Sequence, residues 1–385
     1  MDELELAPTW VQDRLLKLLR STDERMLFKL ALSPFVFTET LREVTSPIAT
    51  HDYDAIQLWF GEKDDARLRE FCRKIWSGTM KGSGPKATNA DWALGRSKFD
   101  LGRDAWASRR TSYYADSSIA GEFRSLAKKD MSFRRYINRR QLDPDRWVDL
   151  SGSDRAKSIR KIQHVVIARN YFRNVRRLRS RKSKALYCGS GGLFAVSEGN
   201  PRILKAIMAH LQASWRDRQR PIPARLQSDA MMDAAVRFEA LLATVPIPQF
   251  DGRLPVGVPS LVELLSDIAE YLHRVAIEDD FQEEPPGSFK VDRSLRPSIL
   301  EVLRSGLNMG GVVVVENSRD MAHGGLSGAR LRLSYLVAMK YNSLIRLGRA
   351  INLSTMVPKL KEASRLPGDA DQLSLLTRDK EGQDE

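Results

Sequence analysis

Two short apolar runs place the tightest constraint on the fold. Met26-Leu-Phe-Lys-Leu-Ala-Leu-Ser-Pro34 and Tyr53-Asp-Ala-Ile-Gln-Leu-Trp-Phe60 both have the length and composition of buried strands. The first ends at Pro34, which cannot donate to a sheet ladder. An amphipathic helix is expected before them over residues 9–25, with Thr9 as its cap and Trp10, Leu15, Leu16, Leu18 and Leu19 among charges. A second helix is expected after them over residues 64–77, with Leu68, Phe71, Cys72 and Ile75 on one face. Helix, strand, loop, strand, helix is the order of a parallel sheet, which needs crossovers and buries its strands on both faces. Two strands do not make a stable sheet alone. The segment therefore reads as the end of a larger sheet whose first strands this sequence lacks.

Further along, residues 78–105 are rich in Gly, Ser, Lys and Asp and read as an exposed loop or insertion. Residues 106–150 hold helical pieces with Trp106, Tyr113, Tyr114, Phe123, Phe133, Tyr136 and Trp147. A basic helix is expected from about 157 to 178, with Ile159, Ile162, Val166, Phe172 and Val175 along one side. Residues 228–244 form another helix, and Pro246, Pro248 and Pro255 mark a linker. Beyond it, helices at Leu261–Ile277 and Ser298–Leu307 lead into strands at Gly311–Glu316 and Arg330–Leu336. Helices followed by a hairpin are the pattern of a winged-helix domain. Alternation in the second strand puts Leu331, Leu333 and Tyr335 on one face and Arg330, Arg332 and Ser334 on the other.

The charge is concentrated. The chain of 385 residues carries a net +13, and residues 155–184 hold twelve Lys or Arg with no Asp or Glu, leaving about +1 for everything else. Such a block suggests a polyanionic partner, most often nucleic acid. Two cysteines and five scattered histidines offer neither a disulfide framework nor a zinc-ligand spacing. With no apolar run of membrane-spanning length and an acidic start, Met1-Asp-Glu-Leu-Glu-Leu, a cytoplasmic protein without membrane contact is expected.

One helix start is distinctive. In Gly199-Asn-Pro-Arg202, Asn200 suits an N-cap and Pro201 the first helical position, and Ile203, Leu204, Ile207 and Leu211 then form an apolar stripe. This turn resembles the sensor-2 region of AAA+ ATPases of the Orc/Cdc6 type and their bacterial relatives. Phe28-Lys-Leu-Ala-Leu-Ser-Pro34 resembles their sensor-1 strand, His51–Trp59 the next sheet strand, Leu68–Ile75 the first lid helix, and Leu331–Ile351 the close of a winged-helix region. The resemblance implies nucleotide-sensing roles for Ser33, Asn200 and Arg202.

The departures from that family are plain. No Gly-x-x-x-x-Gly-Lys-Ser/Thr occurs, so the backbone cradle and lysine that hold ATP phosphates are missing. Gly82-Ser-Gly-Pro-Lys-Ala-Thr88 has the wrong spacing, and Val312–Asn317 mimics an acidic Walker-B strand in the wrong order. His51-Asp52 has no partner pair for a metal, and Ser190 lacks a matching His and Asp. The expected fold is thus mostly α with minor α/β. Residues 1–62 would be a remnant of a parallel AAA+ sheet, and 63–245 a helical lid with an insertion and the sensor-2 helix. Residues 256–357 would be a winged-helix-like domain and 358–385 a disordered tail.

The function implied is the C-terminal portion of an Orc/Cdc6-like ATPase, a nucleotide-dependent DNA-binding switch in replication, mobile-element maintenance or phage defence. It would not be catalytic alone. ATP and Mg would be used only if a separate P-loop-bearing chain or another subunit of a homo-oligomer supplied the missing half. The rivals are a non-enzymatic nucleic-acid-binding adaptor and a protein-interaction scaffold. Expected DNA contacts are Arg169, Arg173, Arg176, Arg177, Arg179, Arg181 and Lys182 in the basic block, with Arg319, Arg330 and Arg332 in the hairpin; no metal ligands are expected.

Overall fold

The computed structural model describes residues 8–18, 29, 60, 64–99, 115–147, 154–173, 184–218, 221–246, 257–316 and 326–360. The two expected N-terminal strands, except Lys29 and Phe60, lie outside these residues, as do Ser33, His51-Asp52, Arg176, Arg177, Arg179, Arg181, Lys182, Arg319 and the residues beyond 360.

Helix α1 (Thr9–Lys17) starts at the expected residue, with Pro8 and not Thr9 at the cap position. Helix α2 (Asp65–Thr79) matches the expected helix and buries Cys72 and Trp76. The Gly- and Lys-rich stretch that follows is not an exposed loop. It forms two short helices, α3 (Pro85–Thr88) and α4 (Ala90–Leu94), that bury Ala87, Ala90, Ala93 and Leu94. The Trp76 indole donates to the Ala87 carbonyl at 2.8 Å. The short side chains of this stretch, which read as loop composition, let α3 and α4 lie close against α2.

Helices α5 (Ser118–Lys129), α6 (Met131–Arg139) and α7 (Asp154–Phe172) enclose an aromatic core. Phe123 meets Phe133 edge-on at 5.4 Å and Trp147 at 5.0 Å, spacings at which aromatic quadrupoles attract. Helix α7 corrects the sequence reading: it is not apolar on one side only. Val165, Val166, Ile167, Ala168 and Arg169 are consecutive buried residues, so its C-terminal half is covered all round.

Arg169 is itself fully buried, and so is Asp130, its partner at 2.8 Å. Asp130 also caps α6, accepting from the Ser132 and Phe133 amides at 3.0 and 3.2 Å. Arg173 donates to the same carboxylate at 2.7 Å.

A second core joins α2 to α8 (Ser190–Ser197), α9 (Pro201–Arg218) and α10 (Ala224–Leu242). A third is built from α11 (Leu261–His273), β1 (Pro286–Lys290), α12 (Pro297–Asn308), β2 (Val312–Glu316), β3 (Arg330–Leu333), α13 (Tyr335–Lys340), β4 (Arg349–Asn352) and α14 (Leu353–Met356). Helix α11 begins in a complete capping box between Ser260 and Glu263, and its end widens into π-helical turns over Arg274–Glu278.

The expected hairpin is present: β2 and β3 pair antiparallel, with Val312 opposite Leu333 and Val314 opposite Leu331. The second strand is shorter than expected, because Tyr335 and Leu336 begin α13. Two strands were not foreseen. The sheet order is β2-β3-β1-β4, with β1 antiparallel to β3 and parallel to β4. Close backbone approach makes the β1–β4 pairing possible: a Cβ on Gly287 would lie 2.5 Å from the Gly348 amide nitrogen, and one on Gly348 would lie 2.3 Å from the Pro285 carbonyl oxygen. The described residues are therefore mostly helical, with a small mixed sheet. Among the described residues no helix is long and apolar enough to cross a membrane.

Removing one member of a buried ion pair strands the other charge, which typically costs about 3–5 kcal/mol. Arg169→Met should lower the unfolding free energy in urea by that amount, whereas Arg134→Met on the exposed side of α6 should stay within about 0.5 kcal/mol. A loss below about 1 kcal/mol for Arg169→Met would show that the pair does not hold these helices together.

Candidate nucleotide-sensing turn and basic surfaces

The turn between α8 and α9 is built as its sequence suggests. Glu198 and Gly199 take left-handed conformations, with φ of 53° and 71°. Glycine is needed at 199 for a second reason: a Cβ there would lie 2.6 Å from the Phe60 ring. Asn200 then caps α9, its side-chain oxygen accepting from the Arg202 and Ile203 amides at 2.9 and 3.3 Å. Arg202 is exposed in the first turn and has no ion-pair partner among the described residues. Phe60, the last residue of the expected second sheet strand, touches this turn and also packs on Phe71 of α2, with ring centroids 5.4 Å apart.

The residue that fastens this turn to the rest of the molecule is Glu198, which sequence reasoning did not single out. Its carboxylate pairs with Arg332 of β3 at 2.5 Å and accepts from the Tyr335 amide at the start of α13 at 2.8 Å. The Arg332 guanidinium also lies over the Tyr335 ring, 4.1 Å from its centroid. One acidic side chain thereby links the α8–α9 turn to the C-terminal sheet. The available signal was an acidic residue directly before Gly-Asn-Pro, which is weak by itself.

The proposed arginine face of the hairpin is not free. β3 lies between β2 and β1, so both of its edges are paired, and Arg332 is only 6% exposed. Arg330 spans three strands: it donates to Ser288 Oγ of β1 at 2.9 Å, pairs with Glu316 of β2 at 2.8 Å, and donates to the Gly348 carbonyl beside β4 at 2.7 Å. Both arginines are engaged by carboxylates and carbonyls within and beside the sheet.

The basic block is likewise divided. Arg169 cannot reach a polyanion because it is buried; its guanidinium donates to the Ala276 and Asp279 carbonyls at 3.0 and 2.6 Å as well as to Asp130. Arg173 is part-buried on the same carboxylate. Lys161 pairs with Glu283 and Glu284 at 3.6 and 3.2 Å, so acids distant in sequence neutralise charge that looked unopposed.

Other chemistry is absent among the described residues. No group of His, Cys, Asp and Glu could hold a metal. Ser190 donates to the Asp91 carboxylate with no histidine in the arrangement. Burial raises the Cys72 thiol and pushes that of Cys188 up to about 12, so neither forms a thiolate nucleophile at neutral pH.

If Glu198 and Arg332 act as a linked pair, a double-mutant cycle with Glu198→Gln and Arg332→Met should give a coupling energy of about 1–3 kcal/mol in urea denaturation. A coupling near zero would mean that the turn and the sheet are held independently.

A family model described as ORC-CDC6-like matches residues 1–353. No curated protein and no solved structure matches the chain. A match over nearly the whole length, on a chain whose α9 start carries a capped and exposed arginine, makes the conclusion plain: the protein belongs to the ORC-CDC6-like family and is related to the AAA+ ATPases.

Proposed function

We propose that this chain forms the lid and C-terminal portion of an Orc/Cdc6-like switch that binds DNA and answers to a nucleotide. The observation that carries the reading is the link from the Arg202 turn through Glu198 to Arg332 and Tyr335. An arginine that leans on a nucleotide phosphate would move with this turn, and the turn cannot shift without pulling on β3 and α13. A binding event would thus be felt in the C-terminal sheet through a packed, hydrogen-bonded connection.

The residues present do not fit a self-sufficient ATP site. A phosphate cradle uses free backbone amides, but the Asn200 side chain already occupies those of Arg202 and Ile203. What remains is one guanidinium, suited to completing a site whose P-loop, Mg²⁺ contacts and Ser33-bearing strand are assembled with another chain or another subunit. On this reading the helices of residues 63–245 are the lid, residues 256–357 the winged-helix-like DNA module, and the part of the basic block that lies outside the described residues, Arg176 to Lys182, a DNA contact. Replication, mobile-element maintenance and phage defence are the settings in which such a switch would serve. The adaptor reading, with no nucleotide dependence, is the alternative that experiment separates.

The isolated chain should give no calorimetric signal for micromolar ATP, and Arg202→Ala should leave that unchanged. Micromolar binding lost in Arg202→Ala would overturn the view that the phosphate cradle lies elsewhere. For DNA, converting Arg176, Arg177, Arg179 and Arg181 to Gln should weaken duplex binding and flatten the log-affinity against log-salt slope by about 0.9 for each phosphate contact removed. An unchanged slope would remove the block from the interface.

A further inference from the structure

A cluster of uncompensated charge on the described surface lies outside the basic block. Residues 128–139 interleave five cations with Asp130, but Asp130 is turned inward onto Arg169 and is 1% exposed. Lys128, Lys129, Arg134, Arg135 and Arg139 remain exposed, and none has an ion-pair partner among the described residues. The nearby acids are engaged: Asp145 with Arg124 at 2.5 Å, Asp143 with Arg146 at 3.7 Å, and Glu283 with Arg140 at 3.2 Å.

Helical geometry puts the three arginines together. Arg135 and Arg139 are four residues apart, one turn along the same side of α6, with Arg134 and the exposed Asn138 beside them. The opposite side of the helix, Phe133, Tyr136 and Ile137, is buried in the aromatic core. Asp130 caps α6 through two amides, and the capped helix is anchored through Arg169 to the π-helical end of α11. The cations thus project from a rigid element.

We infer that the α5–α6 corner is a second contact for a nucleic-acid duplex, with Lys128, Lys129, Arg134, Arg135 and Arg139 on the phosphate backbone. Guanidinium groups suit phosphate because their forked donors match its oxygens. Asn138, set among the arginines, supplies an amide for a phosphate or a base edge. A lipid surface fits less well: an interfacial helix inserts its apolar face, and that of α6 is committed to the core. The proposed phosphate contacts include no residue of the 155–184 block or of the hairpin, so the inference stands or falls apart from the function proposed above.

The test is fluorescence anisotropy of a short labelled DNA duplex over a salt series, with a duplex RNA of the same sequence in parallel. Arg134, Arg135 and Arg139, all changed to Gln in the full chain, should weaken binding at least about tenfold and lower the salt slope by up to about 2.7, at about 0.9 per phosphate contact. The same positions changed to Lys keep the charge and should restore most of the slope. A control with equal charge loss at Lys81, Lys86 and Arg237, also to Gln, should bind like the unaltered protein. Equal melting temperatures would show that the changes act on binding and not on folding. An unchanged slope in the α6 variant, or an equal loss in the control, would overturn the inference. So would binding of the unaltered chain to anionic phosphatidylserine vesicles but to neither duplex. If only the Arg176–Arg181 variant loses affinity, the α6 contact is wrong and the proposed DNA contact stands; if only the α6 variant does, the reverse holds. Equal effects with DNA and RNA would assign backbone recognition, and an effect with DNA alone would assign the contact to DNA grooves.

Discussion

The buried pair of Asp130 and Arg169 is the interaction on which the middle of this molecule depends. Neither side chain reaches solvent, so each must be satisfied within the protein or impose a large desolvation cost. Both are. The carboxylate takes two backbone amides at the start of α6, the Ser132 hydroxyl and two guanidinium groups. The arginine gives its remaining donors to the Ala276 and Asp279 carbonyls. A π-helical end leaves carbonyls out of the regular ladder, and Arg169 supplies what the helix cannot. One ion pair therefore sets the start of α6, the end of α11 and the seat of α7 between them.

The link through Glu198 works on the same principle at the other end of the second core. Its carboxylate joins two elements far apart in sequence, Arg332 on an interior strand and the backbone amide that opens α13. A turn that would otherwise be a free connection between α8 and α9 is thereby tied to the sheet. Arg202 has no such tie among the described residues and points outward from a helix whose first turn is fully capped. The contrast between a held turn and an unheld arginine is what the proposed sensing contact would require: the frame is fixed, and the donor is left available for a partner.

Local elements were legible where neighbouring residues decide them. The Asn200-Pro201 start of α9 follows from cap chemistry, α2 from its apolar spacing, and the antiparallel pairing of β2 with β3 from two apolar runs flanking a turn-rich loop. The strands β1 and β4 were not legible. The pairing of Pro-Gly-Ser-Phe-Lys with β4 exists only because Gly287 and Gly348 let two backbones approach from positions 61 residues apart. The segment 78–99 read as loop for a related reason: small residues mean exposure only if nothing packs on them, and here α2 does.

Charge shows the boundary most clearly. The sequence by itself determined how many cations the chain carries, that twelve of them crowd residues 155–184, and that an arginine follows the Gly-Asn-Pro turn. Only the tertiary structure decided which of those charges face water. Arg169, Arg330 and Arg332 were taken into the interior or into the sheet by carboxylates and carbonyls distant in sequence, while the burial of Asp130 left the neighbouring cations of α5 and α6 uncompensated. The physical reason is that a formal charge is a property of a residue, whereas its solvation and its partner depend on what the fold brings within a few ångströms of it.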